Sequence, residues 1–243
     1  MLILAIDTST RTGSVAVLRD QQLLTVISSS EPTPYDNRLF RDVGELQNRA
    51  NFAMQDVDLF AVAVGPGSFT GLRIGLTAVK AWAELYHRPI AAISGLEAIA
   101  SQAHSLQSQT SATQTIIAPF QDARRGHIFG AIYRRNSSET AKLELVGEEN
   151  TLSPDEFLDL VKCTAGRGAP VLISPTPELL SLQVRSARGT GEPWVTEQAS
   201  SVLAPIIGQL GFDRAGRGEL TDSLRLDASY VRRSDAESSW IDQ

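Results

Sequence analysis

Apolar and polar residues alternate in blocks along the first part of the chain. Residues 2–6 are continuously apolar, which predicts a buried strand. A polar turn at 7–14 separates this strand from two further predicted strands, at 15–18 and 23–28. The order of strand, polar loop, strand and strand predicts a meander at the start of the fold.

Two helices with one apolar face each are predicted next, with a buried strand at 59–64 between them. Thr33 and Pro34 fit the cap and the first turn of the first helix. Its apolar stripe recurs at spacings of four, three and four: Leu39, Val43, Leu46 and Ala50. This stripe, with Tyr35 and Phe40 nearby, could face a partner as well as the core. The second helix follows a glycine-rich loop and has its own stripe: Leu72, Leu76, Val79, Ala83 and Tyr86.

The second half of the chain repeats the opening in outline. An apolar segment at 116–120 is followed by a polar turn at 121–126 and a strand-like segment at 128–133. Asp7 and Asp122 therefore occupy corresponding places, each at the end of a buried strand and before a turn and a return strand. Such an internal repetition predicts two similar lobes.

The boundary between the lobes is expected in a stretch at 105–115, which is rich in Gln, Ser and Thr and lacks periodicity. The first lobe is therefore expected to span residues 1–105 and the second 106–226, with a C-terminal tail at 227–243. A helix at 201–210 is predicted near the end of the second lobe.

Composition and charge exclude several classes of protein. The chain has 243 residues, of which 42% are hydrophobic and 21% charged, as in an ordinary soluble globular protein. Its 22 basic and 28 acidic residues give a net charge of −6, which argues against a protein that grips nucleic-acid phosphates by itself. Cys163 is the single cysteine, so an internal disulfide is excluded. No signal peptide or membrane span is visible, and a cytoplasmic protein is expected.

The glycine-rich loop is the strongest local signal. Gly65, Gly67 and Gly71 stand between a buried strand and a helix, and nearby side chains add two hydroxyls and a cation: Ser68, Thr70 and Arg73. The spacing matches neither a Walker A loop nor the Rossmann fingerprint. Two interpretations stay open. The backbone N–H groups at the helix start could bind a phosphate, or the glycines could let the helix pack closely against the sheet or a second subunit.

The turn that begins at Asp7 is the second candidate site. An aspartate followed by hydroxyl residues at the end of a first strand resembles the phosphate-facing loop of actin-like ATPases. The alternative is an Asx turn that caps a hairpin. The first interpretation nominates these residues as facing a nucleotide or phosphate: Asp7, Thr8, Ser9, Gly65, Gly67, Ser68 and Asp122.

The histidines supply no recognisable metal or catalytic motif. His87, His104 and His127 are widely separated, and no two share a helix face at a spacing of four. No Gly-x-Ser-x-Gly elbow is present, and Cys163 lies in a polar stretch without a catalytic signature. We therefore predict no catalytic residue and no bound metal.

Several segments together resemble a known family. Residues 4–10, 14–17 and above all 64–75, with the run Gly-Pro-Gly-Ser-Phe-Thr-Gly-Leu-Arg, closely resemble the TsaB family of bacterial tRNA threonylcarbamoyladenosine biosynthesis proteins. Residues 122–126 and 229–232 resemble that family's second-lobe turn and C-terminal Tyr-Leu-Arg segment. The resemblance implies a two-lobed α/β fold of the actin-like ATPase (ASKHA, RNase H-like) type, with a duplicated mixed sheet flanked by helices.

The resemblance also implies a function. In this family the chain is a non-catalytic scaffold that pairs with the catalytic paralogue TsaD, and the pair recruits the ATPase TsaE. The complex transfers threonylcarbamoyl from threonylcarbamoyl-AMP to the adenosine 3′ of the anticodon in tRNAs that read codons beginning with A. The implied partner interface comprises Tyr35, Leu39, Val43, Gly67, Phe69, Thr70, Gly71, Arg73, Ile74, Gly75 and Ala78. The catalytic paralogue has paired metal-binding histidines in its early helix, and the corresponding helix here has none.

Other expectations complete this hypothesis. The isolated chain is expected to form a homodimer, to meet tRNA only through the complex, and to bind ATP or ADP weakly if at all. The alternative function is a small-molecule kinase or ATPase of the same fold, which the turn at Asp7 would serve. Two prolines in the segment 174–177 replace the family's usual glycine-containing strand end, which disfavours independent nucleotide binding.

Overall fold

The computed structural model describes residues 1–28, 35–104, 114–136, 142–166, 168–180 and 194–231. The chain divides into two compact units. The first comprises residues 1–98 together with the segment that starts at 201, and the second comprises residues 99–200. Each unit is built on its own sheet.

The sheet of the first unit has five strands in the order β3-β2-β1-β4-β5. Their bounds are β1 Leu2–Asp7, β2 Ser14–Arg19, β3 Gln22–Ser28, β4 Leu59–Gly65 and β5 Ile90–Ser94. The first three pair antiparallel, and β4 and β5 run parallel to β1. The predicted meander is therefore confirmed, and it forms one half of a mixed sheet.

Helices cover both faces of this sheet: α1 Tyr35–Ala50, α2 Phe69–Tyr86 and α5 Ala204–Arg217. Side chains of β1 that alternate along the strand, such as Leu4 and Ile6, join the apolar stripes of α1 and α2 in one core cluster. Helix α5 packs against β1, β2 and β4. Its Gly208 and Gly211 contact Leu18 and Ala61 of the sheet. Because both faces are covered, residues 2–6 of β1 are apolar without interruption, and Asp7 ends the strand.

The second unit repeats this topology. Its main path is β10-β7-β6-β11-β12, with antiparallel pairing of β10, β7 and β6 and parallel pairing of β6, β11 and β12. The bounds are β6 Gln114–Arg124, β7 His127–Gly130, β8 Tyr133–Asn136, β9 Leu143–Leu145, β10 Asn150–Leu152, β11 Val171–Ser174 and β12 Val195–Gln198. Helix α4 (Pro154–Ala165) packs on this sheet, and α3 (Gly95–Ala100) lies where the chain passes from the first unit to the second. The predicted duplication of a mixed sheet is confirmed.

Two details differ from the sequence predictions. The return strand expected at 128–133 is two strands, since β7 pairs with the end of β6 and β8 with its beginning. The segment 201–226, assigned from sequence to the second lobe, belongs to the first unit because α5 covers the sheet of that unit. The expected cap at Thr33 and most of the stretch at 105–115 lie outside the described residues.

Within the part of the chain that the structure describes, no helix has the length and apolar character needed to span a bilayer.

Candidate functional site

A row of glycines brings α2 into contact with the turn after β1. Gly67, Gly71 and Gly75 recur at intervals of four and so lie on one side of the loop and helix. A Cβ atom on any of them would lie less than 3.0 Å from Thr8 or Ser9. At Gly67 and Gly71 the obstructing atoms include backbone oxygens. Of the two interpretations of the glycine loop, the structure shows close packing of the helix against its own chain.

Hydrogen bonds tie the turn and the loop together. The Asp7 Oδ1 atom accepts hydrogen bonds from the backbone N–H of Ser9 at 2.8 Å and from its hydroxyl at 2.6 Å. The backbone N–H of Ser68 donates to the carbonyl of Ser9 at 2.7 Å. The Ser68 hydroxyl then caps α2 by accepting from the N–H of Gly71. The Asp7 turn thus has the hydrogen bonds of an Asx turn, and the Ser68 N–H that could have faced a phosphate is already engaged.

The burial of the Asp7 carboxyl group costs free energy. Asp7, Thr8 and Ser9 are at most 2% exposed. Among the described residues, neither Asp7 Oδ2 nor the Thr8 hydroxyl has a hydrogen-bond partner. Burial raises the pKa of the Asp7 carboxyl above its ordinary value, although the two hydrogen bonds from Ser9 act in the opposite direction. Binding of ATP or ADP at this turn stays a prediction.

Asp122 repeats the local pattern of Asp7 in a different environment. Its Oδ1 atom accepts a hydrogen bond from the backbone N–H of Arg124 at 2.6 Å, again two residues ahead. Unlike Asp7, it is exposed. The following turn has positive φ angles at Arg124, Arg125 and Gly126. Corresponding aspartates in the two units therefore make the same hydrogen bond to the backbone two residues ahead but differ in burial.

The residues expected at a partner interface separate into two groups. Leu39, Val43 and Ala78 lie in the core of the first unit, and Gly71 and Gly75 are covered by Thr8. These residues pack inside the first unit and are not available to a partner. An apolar stripe on a helix packs first against the sheet of its own chain. The exposed members of the expected set are Phe69, Thr70 and Arg73, with Gly67 and Ile74 intermediate. The side chain of Tyr35 lies outside the described residues.

An exposed surface on α1 and α2 nevertheless exists. The α2 residues Phe69, Arg73, Thr77, Ala81 and Leu85 recur at intervals of four, and all are exposed. On α1, Phe40 is 60% exposed and packs edge-on against Trp82 of α2 at a ring distance of 5.7 Å. We call this surface, Phe40 and Trp82 with the exposed α2 stripe, the α1/α2 face. Leu85, which is 67% exposed, was not identified from the sequence. The signal that could have identified it is an apolar side chain that lies outside the stripe facing the core.

Gly44 adds to the case for a contact at this face. It lies in the middle of α1, and apart from its chain neighbours and the backbone of its own helix no atom of the described residues lies within 4 Å of the position that its Cβ would occupy. A glycine in a helix interior costs about 0.5–1 kcal/mol relative to alanine. The described residues of the chain give no reason for that cost, whereas the close approach of a partner helix would.

No group of three or more His, Cys, Asp or Glu side chains in the described ranges is placed to hold a metal ion.

Comparison with known proteins places this arrangement in a family. The sequence model described as TsaD, tRNA N6-adenosine threonylcarbamoyltransferase, matches residues 35–166, which is more than half of the chain. The chain belongs to this family. The match includes α1, α2 and the glycine loop.

Individual relatives place the chain among the TsaB-type members of the TsaD family. It is 29% identical to the tRNA threonylcarbamoyladenosine biosynthesis protein TsaB of Bacillus subtilis, over 100% of this chain and 99% of that protein. It is 32% identical to the Escherichia coli protein of the same name, over 57% of each. The resemblance to TsaB seen in the sequence is thereby confirmed.

Solved structures agree on the fold. YeaZ from Pseudomonas aeruginosa superimposes with a TM-score of 0.73 and 26% identity, over 94% of this chain and 99% of that one. A ROK family protein from Streptococcus pneumoniae, described in complex with sucrose, reaches a TM-score of 0.50 at 14% identity, over 90% of this chain and 100% of that one, and supports the fold alone. The predicted actin-like ATPase (ASKHA) fold class of this TsaB-type chain is confirmed.

Proposed function

We propose that this chain takes part in the biosynthesis of threonylcarbamoyladenosine in tRNA as a non-catalytic scaffold. In this proposal it holds a TsaD-type paralogue, and that subunit transfers threonylcarbamoyl from threonylcarbamoyl-AMP to the adenosine 3′ of the anticodon. A TsaE-type ATPase and the tRNA join through the complex. The names of the full-length and partial TsaB relatives support the pathway. The absence of histidine from the sequence of α1 supports a role other than transfer.

The observation that carries the proposal is the α1/α2 face. The glycines and hydroxyls of the loop fix α2 against the turn after β1, so the loop serves to position a helix. That helix then offers solvent a stripe that contains Phe69 and Leu85, and the exposed Phe40 of α1 packs against Trp82 of the same helix. Aromatic side chains at such a surface are typical of residues that dominate binding energy at protein interfaces.

Small residues suit this face to contact with another helix. Thr77 and Ala81 in the stripe and Gly44 on α1 leave room for a second backbone to approach. Since the same surface is available to a second copy, the expected homodimer of the isolated chain would compete with the paralogue for it. The scaffold would then exchange one helical partner for another.

Two substitutions test this docking. We expect Phe40→Ser and Gly44→Leu each to weaken binding to the co-purified TsaD-type paralogue at least tenfold, or about 1.4 kcal/mol, because they remove an anchor and block close approach. Isothermal titration calorimetry of the full-length pair measures this, and urea unfolding of each variant checks its fold. Leu160→Ser is the matched control, because Leu160 is 37% exposed on α4 of the second unit.

Three outcomes decide the proposal. Weaker binding by the two α1 variants and normal binding by the control support it. Failure of the unsubstituted pair to associate would reject the scaffold role. Normal amounts of threonylcarbamoyladenosine in tRNA from cells depleted of this protein would reject its place in the pathway.

A further inference from the structure

The last described segment of the chain lies along α2 and runs in the opposite direction. We call residues 221–231 the C-terminal strap. Its beginning pairs with β5, where Thr221 and Ile90 exchange two backbone hydrogen bonds at 2.8 and 3.0 Å. The Ser223 hydroxyl then donates to Glu84 near the end of α2. The strap therefore starts at the C-terminal end of the helix.

The far end of the strap reaches the glycine loop. The N–H of Ser229 donates to the carbonyl of Val64 at 2.7 Å, and the carbonyl of Ser229 contacts Gly65 so closely that a Cβ would not fit there. Between the two ends, Leu226 is 2% exposed and belongs to the core cluster. The strap is thus fixed at both ends and in the middle, and it borders the exposed stripe of α2.

At its far end the strap builds a cluster around Arg73. The Tyr230 ring lies 5.1 Å from the Phe69 ring, and the Arg73 guanidinium carbon lies 3.7 Å from the centre of that ring. The Arg73 Nε–H donates to the Tyr230 hydroxyl at 3.3 Å. No carboxylate of the described residues forms an ion pair with Arg73. A stacked and hydrogen-bonded guanidinium with no anionic partner is preorganised for an anion.

At its near end the strap presents a leucine to solvent. Leu224 is 90% exposed at the tip of a turn. The carboxylate of Asp222 holds that turn, because it accepts the backbone N–H groups of Leu224 and Arg225 at 3.0 and 2.9 Å. The exposed Leu85 directly follows Glu84, to which the strap is bound. Leu224 thus adds an exposed apolar side chain next to Ser223, the residue that binds the C-terminal end of α2.

We propose that the C-terminal strap is one side of the docking surface for the TsaD-type paralogue. The paralogue presents a carboxylate to Arg73 and an apolar side chain to Leu224, and Tyr230 positions Arg73. This inference rests on the proposed function. A protein fits better than RNA, because the cation is continuous with an apolar face and because a net charge of −6 opposes a phosphate backbone.

Substitutions at the two ends of the strap test the inference with the full-length pair. We expect Leu224→Ser and Arg73→Gln each to raise the Kd for the paralogue at least tenfold, and Tyr230→Phe to raise it less because the ring is kept. The Kd of the unsubstituted pair should rise more steeply between 50 and 500 mM NaCl than that of Arg73→Gln, since a charge contact is screened by salt. Leu145→Ser is the matched control, because Leu145 is exposed in the second unit.

The outcomes separate this inference from the proposed function. If the unsubstituted pair does not associate, both are overturned. If the pair associates and Phe40→Ser weakens it, but Leu224→Ser and Arg73→Gln bind normally, the strap inference alone is overturned. A loss of affinity for an anticodon stem-loop RNA, with unchanged affinity for the paralogue, would also overturn it. Because Leu224 is exposed, its serine variant remains informative even if Arg73→Gln unfolds α2.

Discussion

Gly71→Ala should destabilise the first unit by about 3 kcal/mol, although alanine is the better helix former. The added methyl group would lie less than 3.0 Å from the backbone oxygen of Thr8. Backbone atoms of a buried turn cannot move aside as the end of a long side chain can. Relief of the clash therefore requires α2 to shift away from β1 and to loosen its core contacts.

Gly44→Ala is the matched substitution in α1. Here the added methyl group meets no described atom within 4 Å beyond its chain neighbours and its own helix backbone, so alanine brings only its higher helix propensity. We expect the monomer, in which no second backbone approaches Gly44, to gain about 0.5–1 kcal/mol. The same chemical change in two helices of one unit should therefore have opposite signs.

Urea unfolding of the two variants and the unsubstituted chain measures both effects. A stable Gly71→Ala variant would contradict the packing role of the glycines. If that stable variant also lost affinity for ATP or an inorganic phosphate probe, the loop would instead serve as an anion site. The comparison thus separates the two interpretations that the sequence left open for the glycine loop.

The elements near the N-terminus could be predicted because local pattern and tertiary environment agree there. Residues 2–6 are continuously apolar since helices cover both faces of β1. The repeated strand, polar turn and strand likewise predicted two similar lobes, and the two sheets do share one topology. In both cases the polarity of the side chains along the strand reflects what packs on each face of that strand.

The position of α5 could not be predicted in the same way. An amphipathic helix shows in its sequence that it covers a sheet, but not which sheet. What fixes α5 is the fit of Gly208 against Leu18 and of Gly211 against Ala61, and these residues are distant in sequence. That complementarity exists only in three dimensions.

The partner surface shows a related ambiguity. The stripe residues Leu39 and Val43 were expected at an interface and are buried in the core, whereas Phe40, which lies beside them, is 60% exposed. Periodicity identifies the face that a helix buries first, which is the face toward its own sheet. Apolar residues off that stripe are the better signal for a second contact, and Leu85 follows the same rule.

Asp7→Asn should stabilise the chain at pH 8 by about 1–3 kcal/mol, the usual cost of a buried polar group whose hydrogen bonding is incomplete. Asparagine keeps the oxygen that accepts from Ser9 and removes the charge that burial opposes. The gain should depend on pH. Burial raises the pKa of the folded Asp7 carboxyl above its ordinary value of 3.8, so the folded state holds this proton more tightly than the unfolded state.

The sign of the pH dependence follows from that difference. The contribution of Asp7 to stability is most favourable below pH 3.8, where the carboxyl is protonated in both states, and it is lost as pH rises through the raised folded pKa. The advantage of Asp7→Asn over the unsubstituted chain should therefore grow between pH 4 and pH 8. Urea unfolding at pH 4, 6 and 8 measures it.

Asp122→Asn is the internal control for Asp7→Asn. Asp122 makes the same hydrogen bond to the backbone two residues ahead, but water solvates its exposed carboxylate. We expect a change of about 0.5 kcal/mol or less at pH 8. Equal gains at pH 4 and pH 8 for Asp7→Asn, or a loss at pH 8, would show that Asp7 is not an uncompensated charge. If the predicted gain is found, the chain keeps at the end of β1 a carboxylate that lowers its stability, and a role beyond folding has to account for it.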